Sequence, residues 1–100
     1  MPIWSRRWPY LDYTIEAAPL DRGVFGLWKG EELLLVGATN EGASIRQCLV
    51  EHFKGVHGEE SRTADHYSWE VASNPEQRKS EVLQQYRQLH GRMPRLNKAK

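Results

Sequence analysis

A chain of 100 residues with 39% hydrophobic and 10% aromatic residues has the size and composition of one small globular domain, and it is too rich in aromatic residues for a disordered chain. The one cysteine, Cys48, excludes an internal disulfide and favours a reducing compartment. The net charge of +1 singles out no class of partner. No apolar run follows Arg6 and Arg7, and the run from Leu33 to Val36 is too short to cross a membrane, so we expect a cytoplasmic protein without a signal peptide.

Residues 1–22 are interpreted as an N-terminal aromatic arm, because prolines interrupt them and no regular period runs through them. Within the arm, the sequence Tyr13-Thr14-Ile15 favours a short extended piece, since aromatic and β-branched residues prefer that conformation. A small domain needs large buried side chains, so the aromatic residues are expected to cover one face of a sheet. If they were exposed, they could instead stack on nucleic-acid bases.

The next segment predicts an antiparallel hairpin. Gly23 to Trp28 forms its first strand, and the glycine and charges of residues 29–32 suit the turn. The second strand runs from Leu33 to Gly37 and is almost continuously apolar. Such a run indicates burial on both faces, so we expect a central strand covered above and below.

A helix follows the hairpin and ends near Phe53, before Gly55. Thr39, Asn40 or Ser44 can cap its N-terminus, and the sequence does not choose among them. Its apolar side is formed by residues at helical spacing, namely Ile45, Cys48, Leu49, His52 and Phe53.

Residues 65–71 alternate and predict a third strand with Tyr67, Trp69 and Val71 on one face. A second helix is expected to begin at Pro75 and to end at Gly91, with an apolar stripe of Val82, Leu83, Tyr86 and Leu89. Residues 92–97 are expected to be a short extended piece, followed by a tail, 98–100. The prediction is a single α+β domain, a three-stranded, mainly antiparallel sheet flanked by helices, in the order β-β-α-β-α.

Several short motifs occur within this order. They are Gly23-Val24-Phe25, Leu35-Val36-Gly37, Arg46 on the first helix, Glu81 on the second helix and Pro94-Arg95-Leu96-Asn97 in the tail. The set resembles the GIY-YIG nuclease family over residues 23–97. Both tyrosines that name the family are replaced, by Phe25 and Leu35.

The resemblance implies catalytic roles for Arg46, Glu81 and Asn97, a magnesium ion held by Glu81, and DNA as the partner. If the helical register differs, Glu76 is the alternative acid. A guanidinium can bind phosphate oxygens with a forked pair of hydrogen bonds, and a carboxylate can hold a hydrated magnesium ion that lowers the pKa of its waters. Each residue also has an ordinary structural interpretation: a surface arginine, a solvated glutamate and an asparagine that bonds main-chain groups.

The two replacements remove the phenols from the motif positions. Neither Phe25 nor Leu35 can donate, accept or relay a proton. Proton-transfer assistance is typically worth about a hundredfold to ten-thousandfold in rate, so we expect weak or lost cleavage unless another residue substitutes. By residue type the candidates are His52, His66 and Tyr67.

Beyond Glu81 the sequence contains basic residues and no acid, with Arg92 and Arg95 as the expected phosphate contacts. A solvated tail is the alternative. Three functions therefore remain open: a nuclease-like domain that binds nucleic acid with weak or lost cleavage, an active metal-dependent endonuclease with a rebuilt proton relay, and a non-catalytic module that binds a protein through exposed tryptophans such as Trp4 or Trp8.

Overall fold

The computed structural model describes residues 6–97, which form a four-stranded antiparallel sheet in the order β1-β4-β2-β3 with three helices. The strands are β1 (Trp8–Pro9), β2 (Gly23–Lys29), β3 (Glu32–Ala38) and β4 (His66–Val71). The helices are α1 (Asp12–Ile15), α2 (Ile45–Phe53) and α3 (Pro75–His90), and 3-10 turns span Glu60–Thr63 and Arg95–Asn97. None of these helices is long and apolar enough to cross a membrane.

The prediction of three strands is wrong, because the N-terminal segment adds a fourth. Trp8 and Pro9 of β1 pair with Tyr67 and His66 of β4. A strand of two residues that contains proline carries too weak a pattern to be recognised in the sequence.

The extended conformation expected for residues 13–15 is also wrong, since these residues lie in α1. The hydroxyl of Thr14 accepts a hydrogen bond from the Leu11 main-chain N–H at 3.2 Å and donates to the Pro9 carbonyl. These local bonds stabilise the single turn of helix against the weak β preference of its residues. On the sheet side, the hydroxyl of Tyr67 donates to the Thr14 carbonyl at 2.7 Å and ties α1 to β4.

The hairpin of β2 and β3 forms as expected, but β3 is an edge strand and the expectation of a central position is wrong. The helices cover both faces of β3, so Leu33, Leu34 and Val36 are all buried. The continuous apolar run therefore indicated correctly that both faces of the strand are buried. It did not indicate whether the strand lies at the centre or at the edge of the sheet.

Successive residues of β2 point into two cores on opposite faces of the sheet. On one face Phe25 and Leu27 pack against Ile45 and Leu49 of α2. The other core is formed by residues of β2, β3 and α3, namely Val24, Trp28, Leu33, Val36, Val82 and Tyr86. The arrangement places α2 and α3 on opposite faces of the sheet.

Both long helices begin and end close to the expected residues. Ser44 caps α2 by accepting a hydrogen bond from the Gln47 N–H at 3.1 Å, and Gly91 ends α3 with a φ of 72°. Two members of the predicted apolar faces are wrong, because Leu89 is 78% exposed and Val71 is 48% exposed. Leu89 lies in the last turn of α3, and Val71 is the last residue of β4.

Residues 92–97, expected to be extended, end in a 3-10 turn over Arg95–Asn97, so that expectation is wrong. The main-chain N–H of Asn97 donates to the Pro94 carbonyl at 2.9 Å and closes the turn. The turn brings Asn97 to the outer edge of β3. The expected tail at 98–100 lies outside the described residues.

Candidate functional site

Phe25, at the first degenerate motif position, is a core residue and is 2% exposed. It pairs with Gly37 of β3, and its ring lies over that glycine so closely that a Cβ at position 37 would collide with the ring. Leu35, at the second degenerate position, is half-buried against the same core. The two motifs thus pack against each other across the hairpin, with the ring of Phe25 covering Gly37.

Gly23, the first residue of the same motif, is required by a close approach of two strands. A Cβ at Gly23 would collide with the main-chain carbonyl of Glu70 on β4. Its N–H donates to the hydroxyl of Thr39 at 3.1 Å, and the N–H of Thr39 donates back to the Gly23 carbonyl at 3.0 Å. The hydroxyl of Thr39 thus extends the hairpin ladder, whereas Ser44 caps the helix.

Arg46 lies on the first turn of α2, half-buried against the segment that follows α1. Its Nε donates to the Ala18 carbonyl at 2.9 Å, and its main-chain N–H donates to the Pro19 carbonyl at 3.1 Å. Within the described part of the chain, neither Nη atom has a hydrogen-bond partner, and no carboxylate pairs with the side chain. Arg46 is therefore an anchored guanidinium whose charge is not compensated by a carboxylate.

Glu81 lies on α3, on the other side of the sheet, in a charged network. Its Oε1 accepts a hydrogen bond from Nη1 of Arg78 at 3.1 Å, and its side chain is 51% exposed. Arg78 is held in turn by Glu70 of β4 through two bonds of 2.7 and 3.2 Å. The hydrogen bond to Glu70, together with the contact to Glu81, raises the pKa of Arg78.

The structure does not join the predicted catalytic residues in one hydrogen-bonded cluster. Over residues 6–97, no hydrogen bond or ion pair connects Arg46 with Glu81, and their helices cover opposite faces of the sheet. The same residues contain no group of three or more histidine, cysteine, aspartate or glutamate side chains arranged to hold a metal ion. As a magnesium ligand, Glu81 has only its exposed carboxylate to offer, with Oε1 already bonded to Arg78.

Asn97 uses both polar atoms of its amide at the outer edge of β3. Its Oδ1 accepts from the Val36 N–H at 2.7 Å, and its Nδ2 donates to the Val36 carbonyl at 3.0 Å. The side chain thereby imitates the hydrogen bonding of a further strand and closes the exposed edge. Val36 follows Leu35 in β3, so Asn97 binds the hairpin beside the second motif position.

The two basic residues expected to contact phosphate differ in their surroundings. Arg95 lies in the 3-10 turn and pairs with Glu32 of β3, with Nη2 and Oε1 3.5 Å apart. Arg92 is exposed and has no ion pair with another described residue. Of the two, Arg92 has the charge that is free to meet a phosphate.

Of the three residues named as possible proton relays, His52, His66 and Tyr67, only His52 is in ring contact with Phe25. The centroids of the two rings are 5.4 Å apart, and the centroid of the His57 ring lies 4.5 Å from that of His52. The Nδ1 of His52 is buried and has no partner in the described chain. Burial, aided by repulsion from His57, lowers the pKa of His52 to about 4, while the Glu51 carboxylate opposes the shift.

The other two candidates are occupied by structural bonds. Nδ1 of His66 lies 2.7 Å from a carboxylate oxygen of Asp65, and this bond lowers the pKa of Asp65. The hydroxyl of Tyr67 is bonded to the Thr14 carbonyl, and burial raises its pKa.

A cleft of about 740 Å³ lies elsewhere, between the loop that precedes α2 and the segment that begins α3. Residues 20–22, 39–43 and 73–76 line it, so the alternative acid Glu76 belongs to it, whereas Arg46, Glu81 and Asn97 do not. Its charged residues are three acids and one arginine, which disfavours a phosphate backbone. Sequence reasoning missed the cleft. The only sequence signal is that the capping segments of both helices are polar, and such segments normally face solvent.

The hypothesis of a protein-binding module requires exposed tryptophan side chains, and Trp8 offers little exposed surface. Trp8 is half-buried against the core, and the guanidinium of Arg6 lies over its ring at 4.9 Å. Trp4 lies outside the described residues.

The sequence was also compared with known proteins. No protein-family model matches the chain, and no curated protein matches it.

Proposed function

We propose that this chain is a GIY-YIG nuclease-like domain that binds nucleic acid, with DNA as the expected partner, and that cleaves it weakly or not at all. The order of the motifs along residues 23–97 motivates the family assignment. The guanidinium of Arg46, which is anchored and has no carboxylate partner, supports nucleic-acid binding. Such a group can bind a phosphate without first breaking an ion pair.

In the proposed domain, Arg46 binds a backbone phosphate and the exposed Arg92 adds a second contact. Asn97 keeps the edge of β3 in place beside the motif residues. Glu81 is the residue that would hold a magnesium ion, which supplies charge neutralisation and an acidic water when bound. Phe25 and Leu35 supply no proton relay, so cleavage is slower by about a hundredfold to ten-thousandfold than with phenols in place.

The test is DNA binding by the variant Arg46→Ala, with Arg87→Ala as a control. Arg87 is an exposed arginine on α3, so both variants remove one positive charge. We expect Arg46→Ala to weaken binding by roughly tenfold or more and to reduce the salt dependence by about one phosphate contact. Arg87→Ala should bind nearly as the unaltered protein does. Equal binding by both variants, or no DNA binding by the unaltered protein, would contradict the proposal.

The second candidate, an active metal-dependent endonuclease with a rebuilt relay, is favoured by the contact of His52 with Phe25. A neutral imidazole can accept a proton, but the lowered pKa of His52, about 4, makes it a weak base, so a relay through it would be slow near pH 7. A plasmid-nicking assay with magnesium or manganese tests this candidate. Nicking that is lost in both Glu81→Gln and His52→Gln would support it, and the absence of any product at high protein concentration would rule it out.

A further inference from the structure

We infer that Arg78 competes directly with a divalent metal ion for Glu81, and so keeps this acid poorly occupied by metal. The inference rests on the proposed role of Glu81 as the metal-holding residue. Arg78 would then be a further cause of the weak or lost cleavage, in addition to the absence of tyrosines at positions 25 and 35.

The competition follows from how Arg78 is fixed. Its guanidinium makes a forked pair of bonds to Glu70 of β4, and the side chains of Arg78 and Glu70 are only 23% and 16% exposed. A third N–H points at Oε1 of Glu81, one turn further along α3. Since the strand holds the guanidinium in place, Arg78 meets Glu81 at little cost in side-chain freedom.

The same contact occupies carboxylate oxygens that a magnesium ion would need as ligands. Magnesium in proteins is commonly held through one or two carboxylates while it keeps several waters. Glu70 and Glu81 are the carboxylates at hand, and Arg78 bonds to both. A metal ion beside Glu81 would also lie close to a fixed positive charge and be repelled by it. In the described chain Oε2 of Glu81 has no hydrogen bond, which leaves room only for weak binding.

A titration with Mn²⁺ alone tests the inference without DNA or activity. Paramagnetic broadening of backbone amide signals reports both the affinity and the position of the ion. We expect Arg78→Gln to raise Mn²⁺ affinity by roughly tenfold or more, with broadening centred on residues 78–85. Arg78→Lys retains the charge and should stay close to the unaltered protein. The gain should vanish in Arg78→Gln combined with Glu81→Gln.

A second variant separates direct competition from net charge, because it also neutralises the Glu70 carboxylate that binds Arg78. Arg78→Gln combined with Glu70→Gln deletes one charge of each sign, so the local net charge equals that of the unaltered protein. We expect this variant also to bind Mn²⁺ more tightly, because the bond to Oε1 of Glu81 is gone. The inference is overturned if this charge-matched variant binds Mn²⁺ no more tightly than the unaltered protein.

The result is distinguishable from a failure of the proposed function. Loss of the Arg46 effect on DNA, with the Mn²⁺ gain intact, would remove the nucleic-acid assignment and leave the competition standing. Arg46-dependent DNA binding without any gain in Mn²⁺ affinity would remove the competition and leave the nucleic-acid assignment standing.

Discussion

Acid should destabilise this protein through His52, and replacement of His52 should remove most of that sensitivity. The imidazole is in contact with the rings of Phe25 and His57, and its buried Nδ1 has no partner in the described chain. Its pKa falls from the ordinary 6.5 to about 4 in the folded protein. Between these values the unfolded chain binds a proton at His52 that the folded chain does not bind, so folding becomes less favourable as the pH falls.

The size of the effect follows from the two pKa values. Above pH 6.5 the imidazole is neutral in both states and contributes no pH dependence; below about pH 4 it is charged in both, and the full loss is present. One pKa unit corresponds to about 1.4 kcal/mol, so the full loss is roughly 3 kcal/mol. At about pH 5 the same linkage gives a loss of about 2 kcal/mol in the free energy of unfolding.

Urea unfolding at about pH 7.5 and about pH 5 measures this loss. His52→Gln and His52→Leu replace the imidazole with one polar and one apolar side chain that do not titrate. Their absolute stabilities will differ, but in both the difference between the two pH values should be smaller than in the unaltered protein by about 2 kcal/mol. If both variants keep the full pH difference of the unaltered protein, the assignment of acid sensitivity to His52 is wrong.

Two further predictions concern the hairpin. Asn97→Ala removes both bonds to Val36 and should cost about 1–3 kcal/mol of stability, and hydrogen exchange should show a loss of protection at the Val36 amide. An unchanged exchange rate there would contradict the edge-closing role. Gly37→Ala places a Cβ against the Phe25 ring and should destabilise the fold by about 1–3 kcal/mol in thermal unfolding. Phe25→Leu should relieve the collision, so the loss in the double variant should be smaller than the sum of the losses in Gly37→Ala and Phe25→Leu, and a purely additive double variant would refute the packing argument.

The sequence predicted those features of the fold that depend on local chemistry. Pro75 near the start and Gly91 at the end set the limits of α3, because proline fits the first helical turn and glycine adopts the positive φ that follows the last one. The turn around Gly30 similarly places the hairpin, since its φ of 58° favours glycine. Such signals lie within a few residues of the structure that they specify.

The surroundings of the candidate site residues were not predicted, because their partners lie far away in the chain. Sequence alone named Arg46 and Glu81, but not the Ala18 carbonyl that anchors the former or the Arg78 guanidinium that binds the latter. It also left Asn97 undecided between a site residue and a main-chain ligand, and the bonds to Val36 give it the second role at least. A hydrogen-bond partner on another element leaves no periodic mark in the sequence.

By itself the sequence determined one α+β domain, its hairpin and its two long helices. The tertiary structure alone decided that β1 joins the sheet, that β3 lies at its edge, and that α2 and α3 lie on opposite faces. The reason is physical: apolar periodicity records whether a side chain is buried, and it carries no record of which distant element buries it. The position of Arg46 and Glu81 relative to each other depends on that missing information.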